Sequence, residues 1–125
     1  MTRRELIEYC LTMPGAYEDY PFDSIADAGA WTVMRHRMNR KGFAHLYERF
    51  GKLSINLKCD PFEADFLRGI YKDLTPAYHM NKRHWNTITI GGDVPKDELR
   101  RMVKQSYILT ARKTRADEEN EDDEI

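Results

Sequence analysis

Apolar positions recur every three or four residues through Leu6, Ile7, Cys10, Leu11 and Met13, then stop at Pro14-Gly15. That period is helical, and Thr2 followed by Glu5 has capping-box spacing, so the pattern predicts a helix over residues 3–13. The stretch YEDYPFDSIADAGA is aromatic and rich in turn formers, which reads as an ordered loop leading into a strand. Strand-like runs follow in WTVMRHR (31–37), GFAHLYER (42–49) and KLSINLKC (52–59), divided by the turn signals MNRK and FG, and predict an antiparallel meander. In the third run Leu53, Ile55 and Leu57 alternate with Lys52, Ser54, Asn56 and Lys58, so one sheet face is expected in the core and the other open to solvent.

Asp60, Pro61 and Glu63 supply an N-cap, a first-turn proline and an acidic third position, predicting a helix over 61–70 with Phe62, Phe66 and Ile70 on one face. After a polar loop, WNTITI reads as a fourth strand ended by Gly91-Gly92, with Ile88 and Ile90 facing the core and Trp85, Thr87 and Thr89 the other side. A last helix opens near Pro95, turning Leu99, Met102, Val103, Ser106 and Leu109 inward and Arg100, Arg101 and Lys104 outward. This order predicts an α+β fold, an antiparallel β-sheet with helices packed on one face.

A chain of 125 residues fits one domain, and 41% hydrophobic residues make it too apolar for a disordered polymer although 33% are charged. An apolar run of the roughly 20 residues a membrane span needs is missing, and the N-terminal MTRRELIEYC lacks a signal-like segment. A soluble cytoplasmic monomer without membrane association is therefore expected. Cys10 and Cys59 are far apart in sequence and are expected to be reduced and buried. The net charge of −1 conceals a segregation: DEENEDDE at 117–124 holds 7 of the 21 acidic residues, leaving residues 1–116 with 20 basic and 14 acidic side chains, a net of +6. The expected organisation is a basic domain over 1–112 and an acidic, disordered tail over 113–125 that competes with anionic partners for the basic surface.

The segments LIEYCLTMPGAYEDYPFD, LSINLKCDPFEADFLR, TPAYHMNKRHWNTI and QSYILT, in that order over about residues 6–110, resemble the MmcQ/YjbR family of small bacterial proteins. The resemblance implies a compact fold similar to frataxin and its bacterial relative CyaY, and the DNA-binding role by which the family is commonly labelled. One departure is Ala77, where the family often has glycine before Tyr-His, so a backbone position that tolerates positive φ is expected to be shaped differently here. Frataxins are thought to hold iron on an acidic first helix; here Glu5 and Glu8 are set against Arg3 and Arg4, which argues against an iron role.

The densest chemistry lies in AYHMNKRHWNTITI, residues 77–90. A metal site is disfavoured, because His79 and His84 stand five apart without a nearby acid and His36 and His45 fall on other strands; no metal or cofactor is expected. Catalysis is disfavoured too, since neither paired carboxylates nor a phosphate loop is present, although Lys82, His84 and Cys59 could approach one another in space. A structural reading makes Tyr78, Met80 and Trp85 a core plug held by side-chain to backbone hydrogen bonds. The functional expectation is a non-catalytic nucleic-acid-binding protein, with DNA as the expected partner. His79, Asn81, Lys82, Arg83 and His84 contact phosphates, Trp85 stacks on a base, Asn56 and Lys58 lie on the open face, and two basic hairpins (Arg37, Arg40 and Lys41; Arg49 and Lys52) straddle the backbone. The alternative is a protein-interaction or small-anion-sensing module using the same loop.

Overall fold

The structure, a computed structural model, describes residues 1–22 and 31–111. The expected acidic tail lies outside the described residues. The chain runs α1 (Arg3–Leu11), β1 (Ala16–Asp19), β2 (Thr32–His36), β3 (Gly42–Arg49), β4 (Lys52–Lys58), α2 (Pro61–Ile70), β5 (Leu74–Pro76), β6 (Trp85–Thr89) and α3 (Lys96–Ala111). Among the described residues no helix is long and apolar enough to cross a membrane.

Local chemistry sets the helix starts. The Thr2 hydroxyl accepts from Glu5 N at 3.1 Å while the Glu5 carboxylate accepts from Thr2 N at 2.9 Å, closing the capping box. Asp60 accepts from Phe62 N at 3.0 Å ahead of Pro61. The six strands form one sheet in the order β1-β2-β3-β4-β6-β5, every neighbouring pair antiparallel. Two of these strands are additional to the predicted four. β1 falls in the stretch read as a loop and β5 in the loop before WNTITI; both are short edge strands, and Pro76 is tolerated at such an edge because its missing N–H breaks no inner ladder.

Leu46, Ile55, Leu57 and Ile88 pack beneath Leu6, Ile7 and Cys10 of α1, Leu67 of α2 and Leu99, Met102 and Val103 of α3, so the helices share one sheet face as expected. At the last turn of α3 the buried residue is Thr110, bonded to His36 at 2.7 Å, while Leu109 is only half-buried. Both cysteines are free and buried.

Two expectations are corrected, and the seating of α2, on which the sequence pattern is silent, is defined. The apolar stripe of α2 faces outward, with Phe62, Phe66 and Ile70 at 88, 67 and 52% exposure, because the helix seats instead on Ala64 and Leu67, which lie on roughly the opposite side at 3.6 residues per turn. The sheet face opposite the helices is not open: Ser54, Asn56 and Thr87 are buried there. The two basic hairpins cannot straddle one backbone side by side, because successive turns of a meander lie at opposite strand ends. The turn over 37–41 and the Phe50-Gly51 turn are separated by β3, about 25 Å at ~3.3 Å per residue.

Candidate nucleic-acid interface

The cover on the second sheet face is the loop over residues 77–84. Its closure is local: the Asn81 side-chain oxygen accepts from Arg83 N at 2.9 Å and His84 N at 3.2 Å, and its carbonyl accepts from Trp85 N at 3.0 Å. Ala77 N donates to Trp85 O at 3.1 Å, fixing the loop at its base. Trp85 thereby turns inward, 1% exposed, packing with Ala77 and Met80 and meeting the His45 ring edge-on at 5.6 Å. The expected base-stacking role of Trp85 is corrected on this ground, since its face is spent on the core. Asn56 is corrected likewise. Fully buried, its Nδ2 donates to Tyr78 O at 2.9 Å and its Oδ1 accepts from Tyr47 OH and Thr87 Oγ1, both at 2.6 Å. These polar residues hold the loop on the sheet, as the structural reading of the stretch required. Ala77 has no positive φ; the left-handed conformation sits instead at His79, with φ 61°.

A second anchor comes from α2. Arg68 Nε donates to Asn86 Oδ1 at 2.8 Å, and its Nη2 donates to the carbonyls of Lys82 and Trp85. The guanidinium thus clamps the outer turn of the loop to the helix, a role that spacing alone does not mark.

What the loop presents outward is cationic. Lys82 and Arg83 are exposed, His84 is half-buried, and the ion pairs among the described residues use none of them. Lys82 Nζ also donates to Ala77 O at 3.0 Å, which orients the ammonium beside the loop. Tyr78 N donates to Thr87 Oγ1 at 2.9 Å, laying its ring over the sheet toward β3. There the Arg49 guanidinium covers it at 3.9 Å, the exposed His79 ring lies 3.9 Å from it, and Tyr47, itself stacked on Trp31 at 4.3 Å, lies 5.7 Å away. The result is a strip running from Lys82, Arg83 and His84 through His79 and Tyr78 to Arg49, with exposed Lys52 beyond.

The remaining expected residues fall elsewhere. Arg37, Arg40 and Lys41 sit at the loop's end of the sheet but on the β2 side of β3, where Asn39 Nδ2 donates to Thr110 O at 2.9 Å. Arg37 lies 6.0 Å from the Tyr17 ring. Lys58 is half-buried, and its backbone N–H donates to Ser106 Oγ at 2.8 Å.

Burial settles the protonation of the inner groups. It pushes the Cys59 thiol up to about 11, helped by Glu63 and Asp60, and this thiol lies 4.0 Å from Gln105 Oε1. A protonated thiol at neutral pH is a poor nucleophile. Burial pulls His45 down to about 3, with the Arg35 charge adding to it, so the imidazole is neutral in the fold. Among the described residues no group of three or more His, Cys, Asp or Glu could hold a metal ion.

Known proteins place this architecture. The chain is 31% identical over 107 residues to the Escherichia coli K12 protein YjbR, described as uncharacterized, covering 86% of this chain and 85% of that protein. It is 28% identical over 120 residues to Bacillus subtilis YyaQ, also described as uncharacterized, covering 88% and 98%. A crystal structure of a Pseudomonas syringae protein, 31% identical, superposes with a TM-score of 0.75 over 88% of this chain and 99% of that one. A Deinococcus radiodurans protein of the DUF419 domain family, 29% identical, gives 0.78 over 95% and 86%. The YjbR family profile matches residues 11–109, which span the whole sheet, α2, the loop that Asn81 and Arg68 hold and all but the last two residues of α3, and the chain belongs to the YjbR family.

Proposed function

We propose that this chain is a non-catalytic nucleic-acid-binding protein whose contact surface is the strip from Lys82, Arg83 and His84 to Arg49 and Lys52. The observation that carries the reading is the Arg49–Tyr78–His79 cluster, in which the guanidinium covers the Tyr78 ring and the His79 ring tilts against it, each at 3.9 Å, on the same loop that exposes Lys82 and Arg83. Cations along a groove neutralise phosphates, and planar side chains beside them meet base faces without reading sequence. Asn56 and Trp85 support the surface from behind, while Arg37, Arg40 and Lys41 extend the positive field at the loop's end. The test is fluorescence anisotropy with labelled single-stranded and duplex DNA at low salt, comparing the wild type with an R49A/K82A/R83A variant. The wild type is expected to bind and the variant to lose at least about tenfold in affinity. A wild type that binds neither probe, or a variant that binds equally well, would contradict the proposal.

A second reading is favoured by α2. Phe62 lines a cavity of about 420 Å³ with Pro61, Asp65, Arg68, Lys82 and Arg83, and Phe66 is exposed one turn further along the helix. An apolar edge beside cations and a carboxylate suits a protein partner with mixed charge. Capture of such a partner that survives high salt and is lost in F62A/F66A would support this reading over the first.

A further inference from the structure

The Phe50-Gly51 turn between β3 and β4 has a fitting glycine at its second central position and an ill-suited aromatic at its first. Arg49 pairs with Lys52 across a two-residue loop whose central residues have φ of 53° and 74°, the geometry of a type I′ turn. That geometry requires left-handed backbone at both positions and selects Asn-Gly, Asp-Gly or Gly-Gly; a bulky aromatic at the first of them works against the hairpin. Burial does not compensate, because the Phe50 side chain is 87% exposed. Its contact is with Arg49, whose guanidinium lies 4.9 Å from the Phe50 ring and 3.9 Å from the Tyr78 ring. Arg49 therefore bridges an inner ring, fixed on the sheet, to an outer ring held in solvent at the end of the strip. Lys52 is exposed beside it, and Glu48, the nearest acid in sequence, alternates to the other face of β3.

A bulky aromatic that costs the turn stability and is left in water gains little from the fold, which makes it a candidate for a contact outside the fold. We infer that Phe50 is a stacking residue for an unpaired nucleobase, with Arg49 and Lys52 holding the flanking phosphates, so that the ligand of the strip is a single-stranded nucleic acid. Only an unpaired base offers an open π-face to a projecting ring; a duplex presents base edges and backbone. The inference rests on the nucleic-acid reading of the strip and names its ligand class and a residue that reading does not use.

The test pairs stability with binding. F50N, which gives the turn its preferred residue, is expected to raise the melting temperature by a few degrees, roughly 2–6 °C. It is also expected to weaken anisotropy-detected binding of a labelled oligothymidylate of about twelve nucleotides by roughly tenfold, while F50W retains wild-type affinity. A duplex of the same length is expected to bind more weakly and to respond little to F50N. Unchanged single-strand affinity in F50N overturns the inference, and if R49A/K82A/R83A still loses binding, the nucleic-acid reading stands without it. An unchanged or lower melting temperature in F50N overturns the conformational argument. A uniform loss on single strand, duplex and polyglutamate alike would make Phe50 a general support of the surface and overturn base stacking. Absence of wild-type binding to every nucleic acid would remove the parent reading together with this one.

Discussion

His45 ties the sheet to the loop, and its charge state gives the fold a defined acid sensitivity. The ring is 1% exposed, edge-on to Trp85 at 5.6 Å, and its Nδ1 has no hydrogen-bond partner among the described residues. Gly42 leaves the space for it, since a Cβ there would lie 3.0 Å from His45 Nε2 and 2.8 Å from Val33 Cγ1. In the unfolded chain this imidazole titrates near 6.5, whereas burial and then Arg35 lower it to about 3 in the fold. The depressed value means that the unfolded state takes up a proton first as pH falls. Stability is therefore complete above 6.5 and declines by about 1.4 kcal/mol per pH unit until the folded ring itself titrates near 3. Between about pH 7.5 and pH 5 the loss from this one residue is about 2 kcal/mol. Replacing it by leucine, similar in volume and without a titration, should abolish that component and relieve the cost of an unpaired buried nitrogen. The assay is urea denaturation followed by tryptophan fluorescence at the two pH values for wild type and H45L. His36, also lowered by burial, contributes equally to both proteins and cancels in the difference. H45L is expected to lose about 2 kcal/mol less than wild type on acidification. Parallel losses in the two proteins would refute the neutral, buried assignment.

R68M should destabilise by about 1–3 kcal/mol, because Asn86 Oδ1 and two loop carbonyls lose their donor, and should speed amide exchange at residues 82–85 in hydrogen-exchange mass spectrometry. G42A should cost about 1–3 kcal/mol by chemical denaturation, since Val33 and His45 must give way to the new methyl group. Cys10, raised to about 12 by burial, and Cys59, raised to about 11, should resist a thiol reagent at mildly alkaline pH until the protein is unfolded; rapid native labelling of both would contradict their burial.

The period-two alternation of β4 and β6 predicts which residues share a face, and it succeeds: Ser54, Asn56 and Thr87 oppose Ile55, Leu57 and Ile88. What it cannot reveal is what covers the polar face. The cover is an irregular loop, and its contacts form between a Tyr78 carbonyl and an Asn56 amide 22 residues earlier, a pairing without any periodic trace. Polar residues there mark hydrogen-bond partners of a loop, not solvent. The α2 stripe does not fix how its helix seats, for a related reason. A pattern of Phe62, Phe66 and Ile70 identifies a helix and an apolar face, but the seating of that helix is decided by close approach at Ala64 and by the Arg68 clamp, both tertiary. Of the expected residues, Lys82 and Arg83 are exposed, as charged side chains ordinarily are, whereas His84 is half-buried. Arg49 joins them only because Tyr78 is drawn across the sheet, bringing residues far apart in sequence to 3.9 Å.

The central claim, that the strip binds a polyanion through several phosphates, is tested most directly by the salt dependence of affinity. Binding of a labelled single strand is measured by anisotropy across a range of about 50–200 mM salt, and log affinity is plotted against log salt. A linear fall is expected, with a slope near −3, about 0.7 for each of some four cations at Arg49, Lys52, Lys82 and Arg83, and a slope shallower by about 1.4 in K82A/R83A. A slope near zero, or the same slope in wild type and K82A/R83A, would contradict it.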